Sequence, residues 1–231
     1  MRKAFLVVSS LIVGCSIAAQ AFALSLDDIT NADATGGLRQ ALTQGASAAV
    51  ANLGKTDGFL GNAKVKIPLP EGLRQAESVM RTMGMGKQAD ELVTAMNRAA
   101  EAAVAESKPI LVDAVKKMSV QDAKEILTGG DDSVTKYFRR ATSDQLSQKF
   151  KPIVTKATKK VKLAEKYDRY AGRASQLGLV KSEDAKVENY VTRKAMDGLF
   201  AMIAEEERAI RKDPVAATGA LAKKVFGALG N

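Results

Sequence analysis

The chain has 231 residues, a formal net charge of +9 and 46% hydrophobic residues, with no histidine, no tryptophan and one cysteine. Without histidine there is no Ser–His–Asp or Cys–His nucleophile and no histidine-held zinc or haem. Carboxylate, lysine or tyrosine chemistry survives, as does binding with no chemistry at all.

The first 23 residues read as an export signal. Met1-Arg2-Lys3 gives a positive start, and Ala4 to Ala19 runs sixteen residues without a charge. Ala21 and Ala23 then put small residues at the −3 and −1 positions of a peptidase site before Leu24. Cleavage there discards Cys15, so the exported chain Leu24–Asn231 has no cysteine and cannot form a disulfide. A second reading stays open: Ile12-Val13-Gly14-Cys15 resembles a lipobox, in which an acylated Cys15 would anchor the protein to a membrane. The compartment expected lies outside the inner membrane of a bacterium.

The exported chain reads as helices parted by glycine, proline and capping signals, an all-α fold of eight or nine helices. A first helix begins near Thr35, with Leu38, Ala41, Leu42, Gly45, Ala46, Ala49 and Leu53 at helical spacing and Gly54 as a stop. Its small-residue face predicts a closely packed inner helix. Lys64–Leu69 alternates apolar Val65, Ile67 and Leu69 with Lys64, Lys66 and Pro68. Pro68 and Pro70 forbid a central strand, which leaves an edge strand or an extended strap across the helices. A second helix from Pro70 carries Leu73, Ala76, Val79, Met80 and Met83 inward and stops at Gly84-Met85-Gly86. Methionines 80, 83, 85 and 96 line either a pocket or, more simply, the core.

A long helix through Leu92, Met96, Ala99 and Ala103 should end or kink at Pro109. Ser119-Val120-Gln121-Asp122 is a capping-box variant opening a short helix that Gly129-Gly130 ends. Asp131, Asp132 or Ser133 caps the next helix, and Ser143 is expected to cap another that carries Leu146, Phe150, Ile153, Val154, Ala157 and Val161. A heptad-like seam follows: Leu163, Tyr167, Tyr170, Ala174 and Leu177, closed by Gly178. A helix over about Glu183 to Lys212 and a last one from Asp213-Pro214 complete the chain, with Glu207–Arg211 as a surface pair. The layout fits a single helical domain over 24–231, with a division into lobes 24–118 and 119–231 left open. No second apolar run is long enough to span a membrane.

The charge is concentrated. Between Lys136 and Lys166 ten basic residues face only Asp144 and Glu165, a net of +8 in 31 residues. On a helical wheel the apolar positions from Leu146 to Val161 cover about 40–140°, and Lys151, Lys159, Lys162 and Lys166 fall near 200–280°. Lys149, Lys156 and Lys160 flank the apolar stripe. These seven lysines are the candidate anion-binding residues, because a basic face gathers polyanions. The bland alternative is an ordinary solvated helix surface. Outside the inner membrane the available polyanions are lipid head groups and phosphorylated glycolipids. Nucleic acid would call for aromatics interleaved with the lysines, and only Phe150 is near, on the buried side.

Five segments, GGLRQALTQGASAAVANLG, GFLGNAKVKIPLP, MGMGKQADEL, MSVQDAKEILTGG and ENYVTRKAMDGLF, closely resemble a family of exported Gram-negative proteins. That family is catalogued only as domain of unknown function four-one-nine-seven. The resemblance implies a single helical domain, cleavage near Ala23 and a location in the periplasm of a Gram-negative cell. It carries over no catalytic or binding residue. Two functional classes follow. One is a non-catalytic envelope protein that binds anionic lipid or glycolipid through the basic helix. The other is a scaffold that binds a protein partner. An enzyme using carboxylates and lysines ranks below both.

Overall fold

The computed structural model describes residues 31–84, 86–160 and 162–213. The signal positions Ala21, Ala23 and Leu24, the lipobox Cys15, and the helix expected after Pro214 lie outside them. Among the described residues, apolar side chains at three- and four-residue spacing produce eight α-helices: α1 Asn31–Leu53, α2 Arg74–Thr82, α3 Gly86–Ala105, α4 Lys108–Lys117, α5 Val120–Thr128, α6 Ser133–Thr158, α7 Lys162–Gln176 and α8 Val187–Lys212. Short 3-10 turns, Glu71–Leu73 and Ser182–Asp184, precede α2 and α8. No strand occurs among the described residues. The fold is all-α.

The longest helices form the frame, with α6 laid against α8 and α3, and α1 against α8 and α4. One buried apolar cluster runs from Leu38 to Ile203 and includes Phe59, Phe138, Phe150 and Phe200. The small residues of α1 and α8 serve this packing. A Cβ on Gly198 would lie 2.6 Å from Cε1 of Phe59, so glycine is what lets that ring rest on α8.

Lys64–Leu69 becomes a strap rather than an edge strand. Val65, Ile67 and Leu69 turn inward while Lys64, Lys66 and Pro68 face solvent, as the alternation predicts. The ladder partner a strand needs is replaced by one side chain on α3. Ile67 N–H donates to Asn97 Oδ1 at 2.8 Å, and Asn97 Nδ2 donates back to the Ile67 carbonyl at 2.9 Å. Tyr190 adds a hydroxyl bond to the Pro68 carbonyl, 2.9 Å. One helical turn beyond Asn97, Glu101 Oε1 accepts the N–H groups of Phe59 and Leu60 at 3.0 and 3.1 Å. Two buried polar residues of α3 thus satisfy the backbone of the preceding loop.

Several local expectations change for identifiable reasons. The helix predicted to restart at Ser143 does not restart, because α6 is continuous; Ser143 instead donates to the Arg139 carbonyl four residues back, 2.6 Å. Pro109 opens α4 in its first turn after α3 has ended at Ala105, so it starts a helix rather than kinking one. The α7 seam rotates: Ala164, Tyr167, Ala171 and Ala174 are buried, while Tyr170 and Leu177 face outward. On α2, Val79 and Met83 are exposed rather than inward, and of the methionine group Met96 belongs to the core. The Ser119–Asp122 capping box forms as read.

The N-terminus of α6 is capped from a distance. Asp132 stands at the cap position without a side-chain cap bond. Glu207 of α8 takes that role, accepting the N–H groups of Val134 and Thr135 at 3.0 and 3.1 Å. Glu207 is 5% exposed, not a surface residue, and Arg211 closes the arrangement at 3.1 Å. Burial of the carboxylate is tolerable because its lone pairs meet positive helix-end groups and a guanidinium.

Candidate functional site

The described candidate lysines all reach solvent, and the core explains why. Leu146, Phe150 and Val154 are buried against the neighbouring helices, which turns Lys149, Lys151 and Lys156 of α6 outward. The single-helix wheel fails beyond Thr158. Lys159 is the C-cap residue of α6, its N–H on the Thr155 carbonyl at 3.0 Å, and Lys160 lies in the turn that follows. Lys162 begins α7, and Lys166 is exposed one turn further on. The lysines therefore occupy a corner between two helices and their connecting turn, not one helical strip.

This corner is set apart by its density of cations. Lys149 pairs with Glu106 at 3.4 Å. Among the described residues no carboxylate lies within ion-pair distance of Lys151, Lys156, Lys159, Lys160 or Lys166. Elsewhere some cations are held by acids: Arg193 meets Asp184, Glu183 and Asp197, and Arg140 meets Asp122 and Glu125. Others, such as Lys55, Lys87 and Lys124, are exposed with no ion-pair partner among the described residues but do not share one short stretch of chain. Lys156 also lies at the negative end of α6, where it contributes about 0.3–1 kcal/mol to the helix itself. The basic surface extends beyond the sequence window. Arg169 and Arg173 are exposed on α7 and have no ion-pair partner among the described residues. The signal that could have found them is the three- and four-residue spacing from Lys166.

Among the described residues, three clefts lie away from the corner. Two open clefts of about 250 and 240 Å³ flank Arg140, the first lined by Asp113, Lys117, Asp122 and Gln145, the second by Glu125, Ile126, Asp132, Ser133 and Lys136. The Ser119 hydroxyl and backbone N–H hold the Asp122 carboxyl below its usual range, with Arg140 contributing. Asp122 is thus a fixed anion, committed to capping α5 and to an ion pair at 2.6 Å. A narrow crevice of about 20 Å³ between α1, α6 and α8 has Glu206 at its rim, whose carboxyl is pushed up by burial and then by Glu205. Its volume suits a water and little more. Burial also raises Tyr167, and pushes Tyr190 up to about 12. Both hydroxyls donate to carbonyls, of Asp184 and Pro68 respectively, and so act as struts. Among the described residues no group of three or more Cys, Asp or Glu side chains is placed to hold a metal ion.

Against this geometry, the family model described as a protein of unknown function, DUF4197, matches residues 28–227. The chain belongs to the DUF4197 family. The match spans all of α1 to α8 and therefore includes the lysine corner, the strap and the Glu207 cap. No curated protein and no solved structure matches the chain. Among the described residues of this DUF4197 protein no helix is long and apolar enough to cross a membrane.

Proposed function

We propose that the protein is an exported, non-catalytic component of the Gram-negative envelope that binds anionic lipid or glycolipid head groups. The binding surface is the α6–α7 corner formed by Lys149, Lys151, Lys156, Lys159, Lys160, Lys162 and Lys166. One observation carries this reading. Five exposed lysines lie within the 16 positions from Lys151 to Lys166, and none has a carboxylate within ion-pair distance among the described residues. A surface lysine without a partner keeps its full charge for a ligand, and several within a Debye length act together.

Export supports the reading by limiting the polyanions the corner can meet, and the leader with Ala21, Ala23 and Leu24 supports export. Co-sedimentation with anionic vesicles tests the proposal. Binding should be strong at about 0.05 M salt and should weaken steeply toward about 0.5 M, as the Debye length shrinks. Salt-independent binding, or equal binding to neutral vesicles, would contradict it. A partner-binding scaffold is the second reading, favoured by Val79 of α2 and Met83 at its C-cap, both exposed to solvent. Mass spectrometry of the intact protein under native conditions separates the two: co-purifying lipid supports the first, a stoichiometric protein partner the second.

A further inference from the structure

The outer face of α7 carries more than charge. Arg169, Lys166, Arg173, Leu177 and Tyr170 fall within about 100° of one another around the helix axis. All five are exposed, whereas Ala164, Tyr167, Ala171 and Ala174 bury the opposite face. Along this stripe the cations come first and the apolar groups last. From Lys166 to Leu177 it runs about 16 Å.

The C-terminal end of the stripe is built firmly. Gly178, with φ +73°, lets the chain reverse into a Schellman motif. Its N–H meets the Ser175 carbonyl at 3.0 Å, and the Leu179 N–H meets the Ala174 carbonyl at 2.9 Å. In such a cap the residue after the glycine ordinarily packs on the residue five positions earlier. That residue is Ala174, too short to cover a leucine. Leu177 and Leu179 consequently stand 75% and 63% exposed on either side of Gly178, beside Tyr170 at 53%. The segment is also pinned from behind, because a Cβ at Gly72 would lie 2.5 Å from the Leu179 carbonyl oxygen. The two leucines are thus displayed on a fixed turn.

We propose that this face of α7 is a membrane-docking element, with Lys166, Arg169 and Arg173 on anionic phospholipid head groups and Leu177 and Leu179 inserted among the acyl chains beneath. Charge complementarity selects the occupant. Three cations without an ion-pair partner among the described residues need an anionic surface, and the adjacent leucines need an apolar layer just below it. An anionic bilayer supplies both within a few ångströms, and tyrosine suits the boundary between them. This inference rests on the anionic-membrane reading of the lysine corner and adds a hydrophobic component to it.

The absence of any tryptophan makes the test direct. The full-length gene is expressed, the protein is purified as the cell leaves it, and its N-terminus is read by mass spectrometry. Leu179→Trp then supplies the only indole. With mixed phosphatidylglycerol–phosphatidylethanolamine vesicles its emission should shift to the blue and be quenched by brominated acyl chains. The Leu177→Ser, Leu179→Ser variant should need at least tenfold more lipid for half-saturation at about 0.1 M salt, where the lysine corner still binds. Both leucines are exposed, so an unchanged circular dichroism spectrum and melting curve are expected controls. If the protein sediments with the vesicles while the indole stays water-exposed, or if the serine variant binds as well as wild type, α7 does not insert; the lysine reading then stands alone. If wild type does not bind anionic vesicles at all, both fall.

Discussion

Removing the Glu207 carboxylate should uncouple α6 from α8. In Glu207→Ala the N–H groups of Val134 and Thr135 lose acceptors at 3.0 and 3.1 Å, and Arg211 loses the carboxylate 3.1 Å away. Hydrogen bonds to a charged group contribute about 1.5–3 kcal/mol each. The helix end adds up to about 2 kcal/mol in a partly buried setting, and breaking a buried pair typically costs about 3–5 kcal/mol overall. These terms overlap, so the expected loss is about 3–5 kcal/mol rather than their sum. For a chain of this size that lowers Tm by about 10 °C. Urea unfolding followed by circular dichroism measures it. Glu207→Gln keeps one acceptor oxygen and should lose less than the alanine variant. The double variant Glu207→Ala, Arg211→Ala should cost at least 1 kcal/mol less than the two single losses combined, because each removes the other's uncompensated partner. A loss below about 1 kcal/mol in Glu207→Ala, or strict additivity in the cycle, would refute the capping account.

Other outcomes follow from the same geometry. Gly198→Ala drives a methyl toward Cε1 of Phe59, 2.6 Å away, and should cost about 1–3 kcal/mol in thermal or urea melts. Asn97→Leu leaves the Ile67 N–H and carbonyl without their partners; about 2–4 kcal/mol should be lost, with hydrogen-exchange protection at Ile67 disappearing before the helices unfold. Tyr190 titrates near 12 in the fold, pushed there by burial, whereas an unfolded tyrosine ionises near 10. The folded state therefore holds a proton the unfolded chain has released, and stability should fall as pH rises from about 10 toward 12. Tyr190→Phe should make that slope shallower, with the part that remains carried by the buried Tyr167, as read from chemical unfolding at stepped pH.

What could be read from the sequence was whatever depends on local spacing. The helices, the inward positions of α1, the Ser119–Asp122 box and the alternation of Val65, Ile67 and Leu69 each need only a few neighbouring residues. Where tertiary partners decide, the sequence was silent or misleading. Nothing near Asp132 announces that a carboxylate 75 positions later will cap α6. Asp132 has suitable chemistry for the cap, and Glu207 displaces it because α8 crosses that end. Likewise a period-2 stretch cannot reveal that Asn97 will stand in for a neighbouring strand. The lysine corner was visible as composition, but not its shape. A wheel assumes one helix, and the chain leaves the helix at Lys159, which splits the lysines between α6, a turn and α7. Leu177 and Leu179 were hidden for a subtler reason. An apolar residue at a heptad position is expected to turn inward, and only the rotation of α7 about Tyr167 and Ala171 turns Leu177 out.

The central claim is that charge at one corner, rather than charge in general, brings this protein to anionic membranes. The most direct measurement compares two variants with the same loss of charge on anionic vesicles at about 0.1 M salt, where the Debye length is about 10 Å. One changes Lys156, Lys159, Lys160 and Lys162 to glutamine; the other changes Lys55, Lys87, Lys116 and Lys124, which are exposed outside the corner. Each headgroup-facing lysine contributes about 1 kcal/mol near an anionic surface, so the corner variant should bind at least a hundredfold more weakly while the control stays within about threefold of wild type. Equal weakening of both variants, or full binding by the corner variant, would contradict the claim.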